Sequence, residues 1–394
     1  MKKNKIAVYA ICKNEEKFVK RWYSSVKEAD QIYVLDTGSC DNTVLLLKDL
    51  GVNVVKKEIK PWRFDVARNE SLKLVPEDFD ICVCIDLDEV INPGWRKTLD
   101  KIWKDDINHL RYNYNWSHDD NGKPKINFYI EKIHARHGFK WTHPVHETLE
   151  YSGNKEIWLT TDEITVDHFP DDSKSRGSYL PLLELSVKEE PENDRNMHYL
   201  GREYMFHGKW NEAIDTLIKH LSLPSATWKD ERCASMRFIA RCYKYLKRYD
   251  EAKMWLDKAV KEAPYLRDSY VERALLEYEL NNFKEVKKYC LEALEIKSHE
   301  KTYINEPFSW DYTVYDLLSI SDFYLGNIDE ALKWCHKAID MEPDNQRLKN
   351  NLKIIKEKKK FWIKKNFFFY KYHNFSLSFL TSFIIPPPQH TSPS

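Results

Sequence analysis

Four stretches in the second half of the chain repeat one pattern in register: GKWNEAIDTLIKHLSLP, KRYDEAKMWLDKAVKEAP, NNFKEVKKYCLEALEIK and GNIDEALKWCHKAIDMEP. Their aligned positions are Trp210, Tyr249, Phe283 and Ile328, spaced 39, 34 and 45 residues apart (249−210, 283−249, 328−283). Small residues, Ala213, Ala252 and Ala331, stand where paired helices must approach closely. Pro224, Pro264 and Pro343 close the second helix of three repeats, since proline cannot continue a helix. A generic helical bundle has no reason to keep an aromatic-x-Glu-Ala pattern in register, so this half is constrained to stacked helix pairs.

The middle spacing matches the tetratricopeptide period of about 34 residues. The longer spacings carry inserts around SATWKD and SHEKTYINEPFS. The second half, from about residue 190, is therefore identified as a tetratricopeptide array, and such arrays present extended binding surfaces.

The first half alternates strand and helix. KIAVYAI is a continuous apolar run, as expected for a strand covered on both faces. EEKFVKRWYSSVKEAD then places Phe18, Trp22 and Val26 on one helical face. QIYVLD, VNVVKKE and DICVCID read as further strands. DNTVLLLKDLG, capped by Asp41 or Asn42 and stopped by Gly51, and FDVARNESLKLV read as the helices between them. Repeated β-α-β units predict a mostly parallel sheet with right-handed crossovers. Such sheets bind ligands at the carboxyl ends of their strands. Asp36, Asp86 and Asp88 fall at those ends and should converge on one edge. From about 106 to 168 the pattern changes to strands, HLRYNYNWS and KINFYIEKIHA, followed by the His- and aromatic-rich HARHGFKWTHPVHETL and ITVDHFP.

The run Ile81 to Ile85 ends abruptly in Asp86, Leu87, Asp88, Glu89. Adjacent carboxylates repel one another and cost stability unless a cation offsets them. A helix cap at NPGWRKTLD needs one carboxylate, and Val90 and Ile91 do not fit a calcium loop. The cluster points to a divalent metal site.

The motifs AICKNEE, LDTGSCDNT, ARNESL and CIDLDEVI, in this order, resemble a family 2 glycosyltransferase of GT-A fold, with DLD as its D-x-D motif. HPVHETL, ITVDHFP and the repeats are similar to a narrower group that includes lipopolysaccharide-core sugar transferases and S-glycosyl peptide synthases. The resemblance covers roughly residues 4 to 345. It implies an α/β GT-A domain over 1–175, an all-α tetratricopeptide domain over 176–358, and a tail, 359–394, that matches nothing.

The resemblance also implies a metal-dependent, inverting transfer from a nucleotide-diphospho-sugar, with UDP the commonest carrier. The acceptor would be a glycan, a lipid-linked core or a peptide, selected by the repeats, which also offer a surface to a protein partner. Asp88 would ligate Mn²⁺ or Mg²⁺. Asp86 would bind ribose or a metal-bound water. Asp36 would meet the nucleobase or ribose, with Glu15 near it, and Arg68 would approach the pyrophosphate or the base. Inversion needs a general base, for which Glu147 is the candidate and His146 the runner-up. His168 stands where similar proteins carry a His before Tyr-Gly, although here Phe169-Pro170 follows. It is either a further metal ligand or a polar residue at the strand's rim.

Composition bounds the alternatives. Lys plus Arg and Asp plus Glu are both 62, so charge gives no push toward nucleic acid. Eight cysteines without a CxxC pair suit free thiols in a reducing, cytoplasmic setting. The apolar end after Asn374 is too short to span a bilayer but could dock on its inner face. Two other classes compete. One is an adaptor with an inactive transferase domain. The other is a haloacid-dehalogenase-type phosphatase, whose first motif CIDLDEVI also resembles.

Overall fold

The computed structural model describes residues 4–104, 106–119, 122–171, 177–299 and 301–371, with the backbone alone for 362–371. It divides into two compact units. The first takes in residues up to 203 and 301–303, and the second 204–300 and 304 onward.

In the first unit the expected alternation appears as β1 (Ile6–Cys12), α1 (Val19–Val26), β2 (Gln31–Asp36), α2 (Thr43–Asp49), β3 (Asn53–Lys56), α3 (Phe64–Leu72) and β4 (Ile81–Cys84). There follow β5 (Glu89–Ile91), α4 (Trp95–Ile102), β6 (His109–His118), β7 (Pro124–Ala135), β8 (Phe139–Thr142), β9 (Thr148–Tyr151), β10 (Trp158–His168), α5 (Tyr179–Glu189) and α6 (Asp194–Phe206). Eight strands form one sheet in the order β3-β2-β1-β4-β7-β6-β10-β5, and β8 and β9 form a separate hairpin. Four of the seven pairings in the large sheet are parallel, so the sheet is mostly parallel.

The continuous apolar runs are explained by two-sided burial. Ile6, Val8, Ala10, Ile81 and Val83 face a core shared with Trp22 of α1, Leu47 of α2 and Trp95 of α4. Ala7, Tyr9, Cys82 and Cys84 face the other layer, with Leu72 of α3 and Trp141 of β8. Alternation along each strand sends neighbours to opposite faces. Burial pushes both thiols up to about 12, so Cys82 and Cys84 serve as small apolar side chains.

The second unit stacks α7 (Trp210–Ser222), α8 (Lys229–Tyr245), α9 (Tyr249–Glu262), α10 (Arg267–Glu279), α11 (Phe283–Glu295), α12 (Thr313–Tyr324), α13 (Ile328–Met341) and α14 (Gln346–Lys371). Ala213, Ala252 and Ala331 are fully buried, which allows the close helix approach the repeats require. The aligned aromatic has a partner as well. Trp210 stacks on Tyr245 at 4.4 Å and Phe283 on Tyr324 at 4.3 Å. Helix α14 runs to Lys371, into the segment read from sequence as a tail. No proline or glycine interrupts it, so nothing in the backbone stops the helix earlier. The tail beyond Lys371 lies outside the described residues. No helix among the described residues is long and apolar enough to cross a membrane.

Candidate active site

The acidic segment after β4 is a tight turn. Glu89 N–H donates to the Asp86 carbonyl at 2.9 Å, and Asp86 N–H donates back to Glu89 Oε2 at 2.8 Å. The backbone then enters β5, which pairs antiparallel with β10 so that His168 lies opposite Glu89. Phe169 N–H donates to the Asp88 carbonyl at 2.8 Å. Two segments 80 residues apart in sequence (168−88) are thereby locked together, and His168 Nε2 comes within 3.5 Å of Asp88 Oδ2.

The three carboxylates have different surroundings. Asp86 is gripped by both Arg68 Nη groups and by Lys132 Nζ at 3.0 Å. Burial pushes its carboxyl up, but the Arg68 and Lys132 charges outweigh this and hold it well below the usual range. Glu89 takes Lys132 Nζ at 2.7 and 2.8 Å and the Tyr114 hydroxyl at 2.8 Å. Burial pushes Glu89 up, with Asp86 and Asp88 adding to the shift against Lys132. Asp88 has no lysine or arginine within salt-bridge distance among the described residues, and its side chain is 27% exposed. The cations that offset Asp86 and Glu89 are thus internal, and Asp88 is the partly exposed carboxylate left without one among the described residues.

Arg68, on α3, does more than hold Asp86. Its Nε donates to Glu147 Oε1 at 2.7 Å, so one guanidinium joins two expected site residues. Glu147 ends the loop 143–147 between β8 and β9, and its side chain is 12% exposed. His146 turns elsewhere. Its backbone is left-handed at φ +52°, and its ring stacks on Tyr199 at 4.0 Å.

His168 is oriented from behind. Its Nδ1 lies 3.1 Å from the Trp116 carbonyl, an acceptor, so Nδ1 carries the proton and Nε2 faces Asp88. Trp116 stacks on the same ring at 4.5 Å. Burial lowers the His168 pKa, but Asp88 outweighs it, and the net shift is upward. One carboxylate oxygen and one oriented imidazole nitrogen fit a divalent-metal donor set.

Glu15 and Asp36 both lie near Cys12, at the end of β1. Asp36 is fully buried, and its Oδ1 accepts from Gly38 N–H at 3.3 Å and Ser39 N–H at 3.1 Å, which fixes the loop after β2. Glu15 N–H donates to Thr43 Oγ1 at 2.7 Å. Burial first, then the nearby carboxylates of Asp36 and Glu15, push the Cys12 thiol up.

The sequence reading missed Lys132, Tyr114, Trp116 and Arg21. Arg21, on α1, lies over the Phe169 ring at 4.2 Å, and the Asp88 charge acts on it. With Lys17, Phe18, Phe169 and Pro170 it lines an open pocket of about 400 Å³. The signal was present: Phe169-Pro170 is where the sequence departs from the expected Tyr-Gly.

Residues 7–149 match the family described as Glycosyl transferase family 2. Residues 238–265, in the second unit, match the tetratricopeptide repeat. An uncharacterized glycosyltransferase of Rickettsia bellii is 32% identical over 100 residues, which is 25% of this chain and 33% of that protein. The chain thus spans about a third of the length of that relative. The glycosyltransferase SunS derived from prophage SPbeta in Bacillus subtilis is 24% identical over 299 residues, 68% of this chain and 66% of its own. Among solved structures, the crystal structure of MamA overlaps 45% of this chain and 98% of its own at 18% identity and a TM-score of 0.35.

Proposed function

We propose that the protein is a metal-dependent inverting glycosyltransferase. It would move a sugar from a nucleotide-diphospho-sugar, UDP-linked by preference, to a glycan, lipid-linked or peptide acceptor. The observation that carries this reading is Asp88. Within the stretch that matches family 2, it is the one acid of the turn that has no lysine or arginine partner among the described residues, and it faces an oriented His168.

Asp88 and His168 would hold Mn²⁺ or Mg²⁺, which neutralises charge on a departing diphosphate. Asp36, through the loop it orders, and Glu15 would serve the nucleoside, and Asp86, whose side chain is 23% exposed, would meet the ribose. Glu147, held by Arg68 Nε, would take the acceptor's proton. As that proton leaves, the acceptor atom bonds to the anomeric carbon. The bond from that carbon to the phosphate oxygen breaks, and its electron pair leaves with the nucleoside diphosphate. Glu147 is preferred to His146 because it shares Arg68 with the metal-side turn. In this reading residues 1–175 carry the chemistry and 176–358 choose the acceptor, with no role assigned to 359–394.

The test is a panel of nucleotide-sugars with Mn²⁺, followed by nucleotide release. Release that stops with EDTA and in Asp88→Ala supports the transferase. Release of orthophosphate instead would support the phosphatase reading. Neither product, with no nucleotide binding, would leave the adaptor.

A further inference from the structure

The insert that stretches the last repeat spacing to 45 residues (328−283) lies between α11 and α12. Its residues 304–310 pack on α8 and α10, the first helices of two successive repeats, within the second unit. The contacts follow an ordered set. The Ile304 carbonyl accepts from Arg237 Nη2 at 2.9 Å. Glu306 N–H donates to Asp268 Oδ1 at 2.6 Å. The Glu306 carboxylate accepts from Arg237 Nη1 at 3.2 Å and from Arg241 Nη2. Glu306 itself has extended backbone, with φ −101° and ψ 124°, between a turn at 303–304 and a 3₁₀ turn over Pro307–Ser309.

Those are the parts with which a groove reads a peptide: a backbone carbonyl, a backbone N–H two residues on, and one side group in a specific clamp. The clamp is built in advance. Glu272 bridges the two arginines at 2.7 Å to Arg237 Nη1 and at 3.0 and 2.7 Å to Arg241. Arg237 is 1% exposed. Burial pushes Glu272 up, but Arg241 and Arg237 hold it down to about 2, so it stays ionised and keeps both guanidiniums aimed at the position Glu306 fills. A paired guanidinium fork matches a carboxylate in two directions, which selects an acid over a neutral side chain. Pinning a loop needs none of this. Apolar contacts would do it without desolvating charges.

We infer that this face of α8 and α10 is a binding site for a peptide segment carrying an aspartate or glutamate, and that Glu306 of the protein's own insert occupies it until such a segment displaces it. Under the transferase reading, on which this consequence rests, the segment belongs to a peptide acceptor. The binding itself does not depend on that reading.

The test uses the full-length protein and a fluorescein-labelled peptide TYINEPFSWD, the sequence of residues 302–311, read by anisotropy. Glu306→Ala should bind it at least about tenfold more tightly than the unaltered protein does, because the clamp is vacated. The same peptide with glutamine in place of its glutamate should lose at least about tenfold, and Glu306→Ala combined with Arg241→Met should lose the preference. Equal affinity of the unaltered protein and Glu306→Ala, or equal binding of the two peptides, overturns the inference. Should Glu306→Ala prove insoluble, hydrogen exchange on the unaltered protein decides. Amides of 304–310 exchanging at least about a hundredfold faster than those of α8 and α10 support a displaceable insert, and equal protection overturns it. Nucleotide release is measured on the same samples. Peptide binding without release upholds the site and removes the transferase reading alone.

Discussion

Two buried charge networks sit in the two units, and they are balanced differently. In the first, Arg68 and Lys132 are shared among Asp86, Glu89 and Glu147, and Asp88 next to them pairs, among the described residues, with His168 alone. In the second, Arg237 and Arg241 are matched by Glu272 and by Glu306 from the insert. Both use arginine, whose planar fork can serve two carboxylates at once. The difference lies in what is left over. The first network leaves a carboxylate facing solvent, which suits a cation brought with a ligand. The second closes on itself with a piece of its own polypeptide. A buried ion pair is weak evidence for stability, so the remainder says more about use than the pairs do.

The comparison breaks most sharply if either arginine is dispensable. Arg68→Met leaves Asp86 and Glu147 facing each other, and Arg237→Met leaves Glu272 and Glu306 with Arg241 alone. Each should cost about 3–5 kcal/mol, the cost of stranding one side of a buried pair. Denaturant melts resolved by unit should show each loss in its own unit. Loss in both, or in neither, would end the view of two separate networks.

Asp88→Ala should act in the opposite sense on stability. It removes a carboxylate beside Asp86 and Glu89, so the melting temperature should hold or rise. Nucleotide release should fall about 10³-fold, the scale for losing a group that stabilises developing charge. Near-native turnover in Mn²⁺ would show that the solvent-facing acid is not the working one. A smaller effect is expected from Glu147→Gln, which still accepts from Arg68. Transfer should fall about 10²-fold with donor affinity unchanged. If His146→Gln is the more damaging change, the base is the histidine.

The smallest effect is a pH difference between the units. His134 on β7 is buried, and this lowers its pKa to about 3. It accepts from the Tyr9 hydroxyl at Nε2 (2.8 Å) and donates from Nδ1 to the Ala135 carbonyl (2.7 Å). Unfolded, the imidazole takes a proton below about pH 6.5. Folded, it does not until about pH 3, so the stability it contributes is full above 6.5 and is lost as pH falls. Between pH 6.5 and 5 the loss is roughly 1.5 kcal/mol. Glu272 is held down to about 2, so its contribution is intact until pH falls below about 4.5. The slope of the first unit's stability against pH, measured for the unaltered protein and for His134→Gln, isolates the term because other groups cancel. An unchanged slope would show that His134 takes up its proton in the fold as it does unfolded, and would overturn the lowered pKa.

The sequence carried the parts of the fold that depend on runs and periods. β1, β2, β3 and β4, the helices between them and the repeats are all long enough to show themselves. It did not carry β5, which has three residues and exists through its pairing with β10. Nor did it carry the β8–β9 hairpin, whose strands have four residues each. At the site, the acidic turn was legible as a cluster in need of cations. Where those cations come from was not. Lys132 reads as a polar position on a strand, and it faces inward because Asp86 and Glu89 neutralise it there. A sequence read residue by residue cannot show that Arg68, 18 residues before Asp86 and 79 before Glu147, touches both.

A stack of repeats ordinarily touches only its neighbours, so it can melt from either end one repeat at a time. The Arg237–Arg241 cluster departs from that rule. It ties α8 to α10 through Glu272, and both to the stretch leading into α12 through Glu306. With the insert seated, three successive repeats are thereby made to open together, and a peptide that displaces Glu306 removes that link. The array should lose its middle in one step, like a zipper with several teeth soldered, and fraying should be confined to the helices outside that block.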